Sequence, residues 1–227
     1  MQISFILVEP AVPQNIGAAA RAINTMGFSD LRLVNPANHL SDEARWLAHG
    51  STEILEKSRI YKKFSDATED LEYVIGTTAK KRSAKYDYYT PEEAKKLLID
   101  KTGIVSRAGI VFGREESGLK NSELAKCDIA SSIPLKKPFP SLNLAQSVML
   151  YAYIFSDFEN RRNKPTNENT EPLYKELKVK TIRIMDKLNI EKDSVLYGRI
   201  LERLAVAGED DVRLFLSFAK NLNRLFE

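Results

Sequence analysis

Apolar residues along this chain fall in short continuous runs, separated by longer segments in which they recur every three or four positions. The runs ISFILV (3–8), DLRLV (30–34), YVIGT (73–77), GIVF (109–112) and IASSI (129–133) have the pattern of strands buried on both faces of a parallel sheet. Between them the helical period predicts helices over 14–26, roughly 41–57, 91–100 and 142–158, and leaves room for a short strand near 59–61. Such alternation predicts an α/β sandwich around a parallel sheet. At 159–172 the texture changes to ENRRNKPTNENTEP, polar, with two prolines and no period, and reads as a linker. Three helical stripes follow in 173–227: Leu173, Leu177, Ile184 and Leu188; then Val195, Leu196, Ile200, Leu201 and Leu204; then Val212, Phe215, Leu216, Ala219, Leu222 and Phe226. Gly208 separates the last two, and Glu209, Asp210 and Asp211 place negative charge at the following helix N-terminus. The expected organisation is a domain over 1–158, a linker over 159–172 and a helical extension over 173–227, packed on the core or on a second subunit.

Composition narrows the class. The 227 residues are 43% hydrophobic and 29% charged, with a net charge of +3. That is ordinary for a globular chain with a real core, and permits a nucleic-acid partner without establishing one. The tail carries 14 basic and 13 acidic residues between 157 and 227, so by count it is not a basic arm. The single cysteine, Cys127, excludes an intramolecular disulfide framework and fits a reducing cytoplasm. MQISFILVEP reads as a buried strand and not a signal peptide, and no apolar run approaches the ~18–20 residues of a membrane span. The expected setting is soluble and cytoplasmic.

Several chemistries are excluded by pattern. No G-x-G occurs and no glycine is followed by Lys-Ser or Lys-Thr, so the dinucleotide fingerprint and the P-loop are both absent. His39, His49 and Cys127 stand in no zinc spacing, and there is no G-x-S-x-G elbow. No metal is expected.

Three loops marked by glycine and proline remain. In EPAVPQNIGAAARAINTMGF (9–28), Gly17 and Ala18–Ala20 make the first turns of a helix thin, so that another backbone or a ligand can come close, and Arg21 follows one turn later. Spacing alone leaves Arg21 equally readable as a surface residue capping a carboxylate. In VFGREESGLKNSELAKCD (111–128), a buried strand runs into Gly113, Arg114, Glu115, Glu116 and Gly118, at the end of a parallel sheet where α/β proteins bind ligands. In IPLKKPFPSLNLAQSVMLYAYIF (133–155), Pro138 and Pro140 stiffen a loop, Lys136 and Lys137 charge its mouth, Ser141 is placed to N-cap the next helix, and Asn143 falls in its first turn.

Taken together, N-I-G-A-A-A-R-A at 15–22, F-G-R-E-x-x-G-L at 112–119 and I-P-L-x-x-x-F-P-S-L-N-L-A-Q-S-V at 133–148 resemble the three motifs of the SPOUT methyltransferases, TrmH/TrmJ group. The segments ARWLAHGSTEILEKS (44–58) and GTTAKKR (76–82) point toward its TrmJ-like members, although Lys80 stands where their T-T-A-R loop has arginine. The resemblance implies a C-terminal deep trefoil knot, a homodimer joined through the knot region, and S-adenosylmethionine as cofactor. The implied cofactor residues are Thr77, Thr78, Ala79, Gly113, Glu115, Gly118, Ile133, Leu135, Ser141, Leu142 and Asn143. The implied catalytic set is Arg21, Arg114, Ser141 and Asn143, with Arg21 first. RNA contact is expected from Arg21, Lys80, Lys81, Arg82, Lys85, Lys136 and Lys137, and a packed dimer contact is consistent with Tyr151, Tyr153, Phe155 and Phe158. The implied reaction is 2′-O-methylation of a tRNA ribose in the anticodon loop near nucleotide 32, on cytidine, uridine or both. An rRNA target, or an RNA-binding protein without catalysis, are the alternative readings.

Overall fold

The computed structural model describes residues 1–79, 87–137, 141–158 and 172–224. In chain order the elements are β1 (Gln2–Val8), α1 (Pro13–Thr25), β2 (Asp30–Val34), α2 (Asp42–Ala48), α3 (Thr52–Glu56), β3 (Arg59–Tyr61), α4 (Phe64–Thr68), β4 (Tyr73–Thr77), β5 (Tyr88–Tyr89), α5 (Pro91–Ile99), β6 (Arg107–Phe112), α6 (Asn121–Leu124), β7 (Ile129–Ser131) and α7 (Leu144–Phe155). Three helices follow, α8 (Leu173–Lys187), α9 (Val195–Val206) and α10 (Glu209–Arg224). The strands form one sheet in the order β3-β2-β1-β6-β4-β7-β5, and every pairing is parallel.

Both faces are covered, so strand residues divide between two cores by simple alternation. Phe5 and Leu7 of β1 face the larger core under α1, α5 and α7; Ile6 and Val8 face a smaller one with Phe64, Leu71 and Leu124. All four are fully buried, which is why the strand reads as continuously apolar.

The expected helix over 41–57 is two helices. The chain turns at Gly50, whose φ of +76° lies in the left-handed region, and Ser51 starts again. The expected strand over 129–133 ends at Ser131, leaving Ile133 in an irregular segment. In the tail, Leu173, Leu177, Val212, Leu216 and Ala219 are buried as their periods require. By contrast Leu188, Val195, Leu196 and Phe215 are exposed by 48–68%, because only one side of each tail helix meets protein.

That inner side is fastened by polar groups as well as by packing. Asp128 accepts hydrogen bonds from the Val74 N–H (2.8 Å), the Tyr174 hydroxyl (2.7 Å) and Lys178 Nζ (2.5 Å). The Tyr73 hydroxyl donates to the Ala205 carbonyl (2.9 Å), and the fully buried Lys101 donates to the Ala207 carbonyl beside the Tyr73 and Tyr174 rings. These contacts lie where β4 and β7 begin, the end of the sheet opposite to the loops described next.

Candidate active site

At the carboxyl ends of β4, β6 and β7 the chain leaves a cavity of about 560 Å³, within the ~300–1,000 Å³ usual for small-molecule sites. Thr77, Thr78 and Ala79 wall it on one side, the loop from Phe112 to Gly118 on another, and Ile133, Leu135, Ser141 and Leu142 on a third. Leu144, Ser147 and Tyr151, spaced i, i+3 and i+7 on one face of α7, form its floor.

The loop after β6 is closed on itself. Arg114 N–H donates to the Gly118 carbonyl (3.2 Å) and Gly118 N–H donates back (2.8 Å). A Cβ on Gly113 would stand 2.1 Å from both the Gly118 carbonyl carbon and the Leu119 nitrogen, and Gly118 itself has φ +67°. Both glycines are therefore demanded by backbone geometry.

Arg114 is largely buried and fully engaged. Its Nε and Nη2 reach Glu9 (2.8 and 2.7 Å), its Nη1 and Nη2 form a fork with Glu123 (3.0 and 2.9 Å), and Nη1 also meets the Gly118 carbonyl. Those hydrogen bonds, to Glu123 and then Glu9, raise the guanidinium's pKa further. The hydrogen bond from Arg114 holds Glu9 below the usual carboxylate range. Burial alone would raise Glu123, but Arg114 and the Lys120 N–H outweigh it. Glu9 adopts φ +48°, an unfavourable backbone for a residue with a side chain. That conformation at the end of β1 places its carboxylate on Arg114.

Glu115 links the second motif to the first. It accepts from the N–H groups of Ala11 (3.1 Å) and Val12 (3.2 Å) and from Asn15 Nδ2 (3.1 Å). Burial works to raise its pKa, and these donors bring it below the ordinary value. Asn15 Oδ1 in turn accepts from Asn143 Nδ2 (2.8 Å). The chain Asn143–Asn15–Glu115 thus joins the first turn of α1 to two loops that lie 100 and 128 residues further along the sequence. Asn143, and not Ser141, is the N-cap of α7: its Oδ1 accepts from the Ala145 N–H (2.8 Å), and Gln146 closes the capping box (3.1 Å).

Of the residues singled out in the sequence, Thr77, Thr78, Ala79, Gly113, Arg114, Glu115, Gly118, Ile133, Leu135, Ser141 and Leu142 all line the cavity. Asn143 does not line it and turns to Asn15. Arg21 is exposed on α1 and is not among the lining residues. Lys136 and Lys137 are exposed on the third loop; Lys80, Lys81, Arg82, Lys85, Pro138 and Pro140 lie outside the described residues. Tyr151, Phe155 and Phe158 are core residues, at most 3% exposed in the single chain, and only Tyr153 faces outward. The sequence reading missed Phe112, Ser117, Leu144, Ser147 and Tyr151 as lining residues, while Glu116, read as part of the charged ligand loop, does line it; the period of α7 from Leu144 was the signal for its three. Gly17 makes room for backbone: an added Cβ would stand 2.0 Å from the Ala44 carbonyl oxygen of α2.

Residues 2–153 match the SpoU rRNA Methylase family. The chain belongs to that family. It is 38% identical to a protein of Escherichia coli called uncharacterized tRNA/rRNA methyltransferase LasT, over 99% of this chain and 100% of that protein. It is 32% identical to the tRNA (cytidine-2′-O-)-methyltransferase TrmJ of Methanocaldococcus jannaschii, over 96% and 99% of the two chains. The crystal structure of TrmJ from Z. mobilis superposes with a TM-score of 0.67 at 26% identity, covering 98% of this chain and 100% of that one. SpoU-type and rRNA methyltransferases that share the fold, at 18% and 19% identity, have been solved with AdoMet bound. Among the described residues no cluster of His, Cys, Asp or Glu could hold a metal ion, and no helix is long and apolar enough to cross a membrane.

Proposed function

We propose that this SpoU-family chain is an S-adenosylmethionine-dependent tRNA ribose 2′-O-methyltransferase of the cytoplasm, acting in the anticodon loop. The observation that carries the reading is that the second and third motif loops and the loop after β4 converge on one cavity at the carboxyl end of the parallel sheet, with the first motif tied to them through Asn15. The residues fit the cofactor: Ile133, Leu135 and Leu142 offer apolar walls for an adenine, while Thr77, Thr78 and Ser141 supply hydroxyls and the loops supply backbone donors and acceptors. When bound, the cofactor supplies a sulfonium methyl that an oxygen nucleophile takes in line.

The chain's part is to present the ribose hydroxyl and to manage charge. As the new C–O bond forms and the C–S bond breaks, the hydroxyl proton must leave. Arg21 is unsuited as a base because a guanidinium stays protonated; its role is to grip the neighbouring phosphate and stabilise the developing alkoxide, with that phosphate accepting the proton. Arg114 and Glu115 hold the cavity's loops, and Asn143 holds the third loop to the first. Lys136 and Lys137, with Lys80, Lys81, Arg82 and Lys85, serve the RNA backbone.

We further read 1–158 as the methyltransferase domain, 159–172 as a linker and 173–227 as a helical extension. The C-terminal part of the first is a trefoil knot and the enzyme a homodimer. Support for threading is that β7 inserts between β4 and β5, both of which precede it in the chain. Support for a dimer is that Arg21 and Tyr153 face outward, so a second subunit would bring Arg21 to a neighbouring cavity.

The test is to incubate the protein with labelled S-adenosylmethionine and unmodified tRNA or rRNA, and to map the labelled ribose. Label in the tRNA anticodon loop, expected at nucleotide 32, supports the reading; label elsewhere in the loop moves the target. Label on rRNA alone favours the second reading, which the name of the E. coli relative leaves open. Arg21→Ala is expected to abolish transfer with cofactor binding retained; full activity removes Arg21 from the mechanism.

A further inference from the structure

Helix α9 of the tail is connected to the cavity through the edge of the sheet. Glu202, whose side chain is only 12% exposed, accepts the Asp87 N–H at 2.8 Å through one carboxylate oxygen. Its other oxygen accepts from Arg199 Nη1 (2.8 Å), one turn earlier on the same helix, and Arg199 also pairs with the Asp87 carboxylate (3.9 Å). Asp87 immediately precedes β5, a strand of two residues at the edge of the sheet. A strand that short has little ladder of its own, so a charge-assisted hydrogen bond at its head is a large share of its restraint.

Strand β5 in turn flanks the main chain that builds the cavity. Tyr88 and Tyr89 pair with Ala130 and Ser131 of β7, and the Tyr89 carbonyl accepts the Ser132 N–H (2.8 Å). The next residue, Ile133, is a wall of the cavity. Ser131 is fully buried and serves two further lining residues: its carbonyl accepts the Thr78 N–H (2.9 Å), and its hydroxyl accepts from the Tyr151 hydroxyl (2.7 Å). Thr78, Ile133 and Tyr151 are thus all joined to the pair Ser131–Ser132, and β5 braces that pair on the outer side of the sheet.

We propose that Glu202 is a positioning residue for the cofactor cavity, through which the helical tail sets the stance of the wall at Ile133, Thr78 and Tyr151. The inference rests on the proposed function, in which this cavity takes S-adenosylmethionine. Glu202 does not line the cavity, and it acts only through its hold on Asp87. Each step from Glu202 to Asp87, along β5, across to Ser132 and on to Ile133 is a hydrogen bond or a peptide link, so a shift of β5 has a material carrier to the wall. The coupling is reciprocal: a cofactor that fixes the wall must also tighten β5.

The experiment compares full-length wild type with Glu202→Ala and Glu202→Gln. S-adenosylmethionine affinity is measured by calorimetry well below every unfolding transition. Backbone hydrogen exchange over 87–89 is followed in the wild type with and without saturating S-adenosylmethionine. Glu202→Ala is expected to bind the cofactor about ten-fold more weakly, a coupling of ordinary size between separate sites. Glu202→Gln keeps an acceptor oxygen for the Asp87 N–H and should stay within about two-fold of wild type. Exchange over 87–89 should slow when the cofactor binds. A merely structural contact would lower Tm in Glu202→Ala and leave cofactor affinity unchanged, and that result overturns this inference alone. Equal loss of affinity in both variants overturns it too, because the hydrogen bond would not be what matters. Should Glu202→Ala fail to fold, the wild-type exchange decides, and no slowing over 87–89 overturns the coupling. A wild type that binds no S-adenosylmethionine overturns the functional reading and this inference with it.

Discussion

Replacing Arg114 by glutamine separates a structural clamp from a catalytic arginine. The guanidinium is 13% exposed, Glu123 12% and Glu9 38%. Removing one member of a fully buried pair costs about 3–5 kcal/mol, because the remaining charge is stranded. The more exposed Glu9 recovers hydration, so a loss of about 3 kcal/mol is expected here. For a chain of this size that corresponds to a Tm lower by about 6–12 °C, read by calorimetry at neutral pH. The pH dependence follows from the direction of the carboxylate shifts. Glu9 and Glu123 both have folded pKa values below the ordinary 4.5, so their contribution is present above that value and lost as pH falls through the folded values. The gap between wild type and Arg114→Gln should therefore narrow as pH is lowered from 5 toward 3. At a temperature well below both transitions, with saturating cofactor, the variant should keep kcat within a few-fold. A Tm within 2 °C of wild type, together with a collapsed kcat, would refute the clamp and return Arg114 to the reacting atoms.

Other changes test other links. Gly113→Ala drives a Cβ into the Gly118–Leu119 backbone; the loop must open, and calorimetry should show S-adenosylmethionine binding weakened at least ten-fold. Lys101 is fully buried, and burial lowers its pKa to about 8. The folded state then binds fewer protons than the unfolded state between pH 8 and 10.5, so stability from this group rises with pH across that window, by about 3 kcal/mol at 1.36 kcal/mol per unit. Denaturant titrations should show wild type gaining on Lys101→Met by that amount from pH 8 to 10.5; the comparison cancels Cys127, Tyr73 and Tyr174, whose raised values act in the opposite sense. A pH-independent difference would mean that Lys101 titrates alike in the folded and unfolded states, with no lowering by burial.

Strands β1, β2, β4 and β6 were legible because burial on both faces leaves a nearly all-apolar run, broken in β2 by the buried Arg32. Helices α4 and α6, of five and four residues, are too short to show a period, and β5 has two residues. The break at Gly50 was hidden because the apolar spacing of α2 continues into α3. In S-L-N both Ser141 and Asn143 are capping types; the Gln three residues after Asn143 was the deciding sign, since it completes the capping box. The motif loops could be read as ligand walls from glycines and charges beside apolar strands. The partners that hold them could not: Glu9 stands 105 residues from Arg114, and only the adjacency of β1 and β6 joins them. Phe112 was read as the end of a buried strand and Tyr151 as consistent with a dimer contact; both are core residues that also line the cavity.

The two motif arginines part company through their partners. Arg114 has two carboxylates and a carbonyl arranged around it, so its charge is already compensated inside the chain and contributes little field to a bound anion. Arg21 makes no side-chain hydrogen bond or ion pair with any other described residue, and its charge is directed to solvent. Its helix touches the cavity's supports through Asn15, six residues earlier, or about 9 Å along the axis. An anion approaching α1 from outside meets an uncompensated guanidinium there, while one deep in the cavity meets hydroxyls and peptide groups. That distribution suits a neutral ribose hydroxyl delivered to the cavity mouth by a phosphate held outside it, and it argues for phosphate capture by Arg21 over any role for Arg114 in the same step.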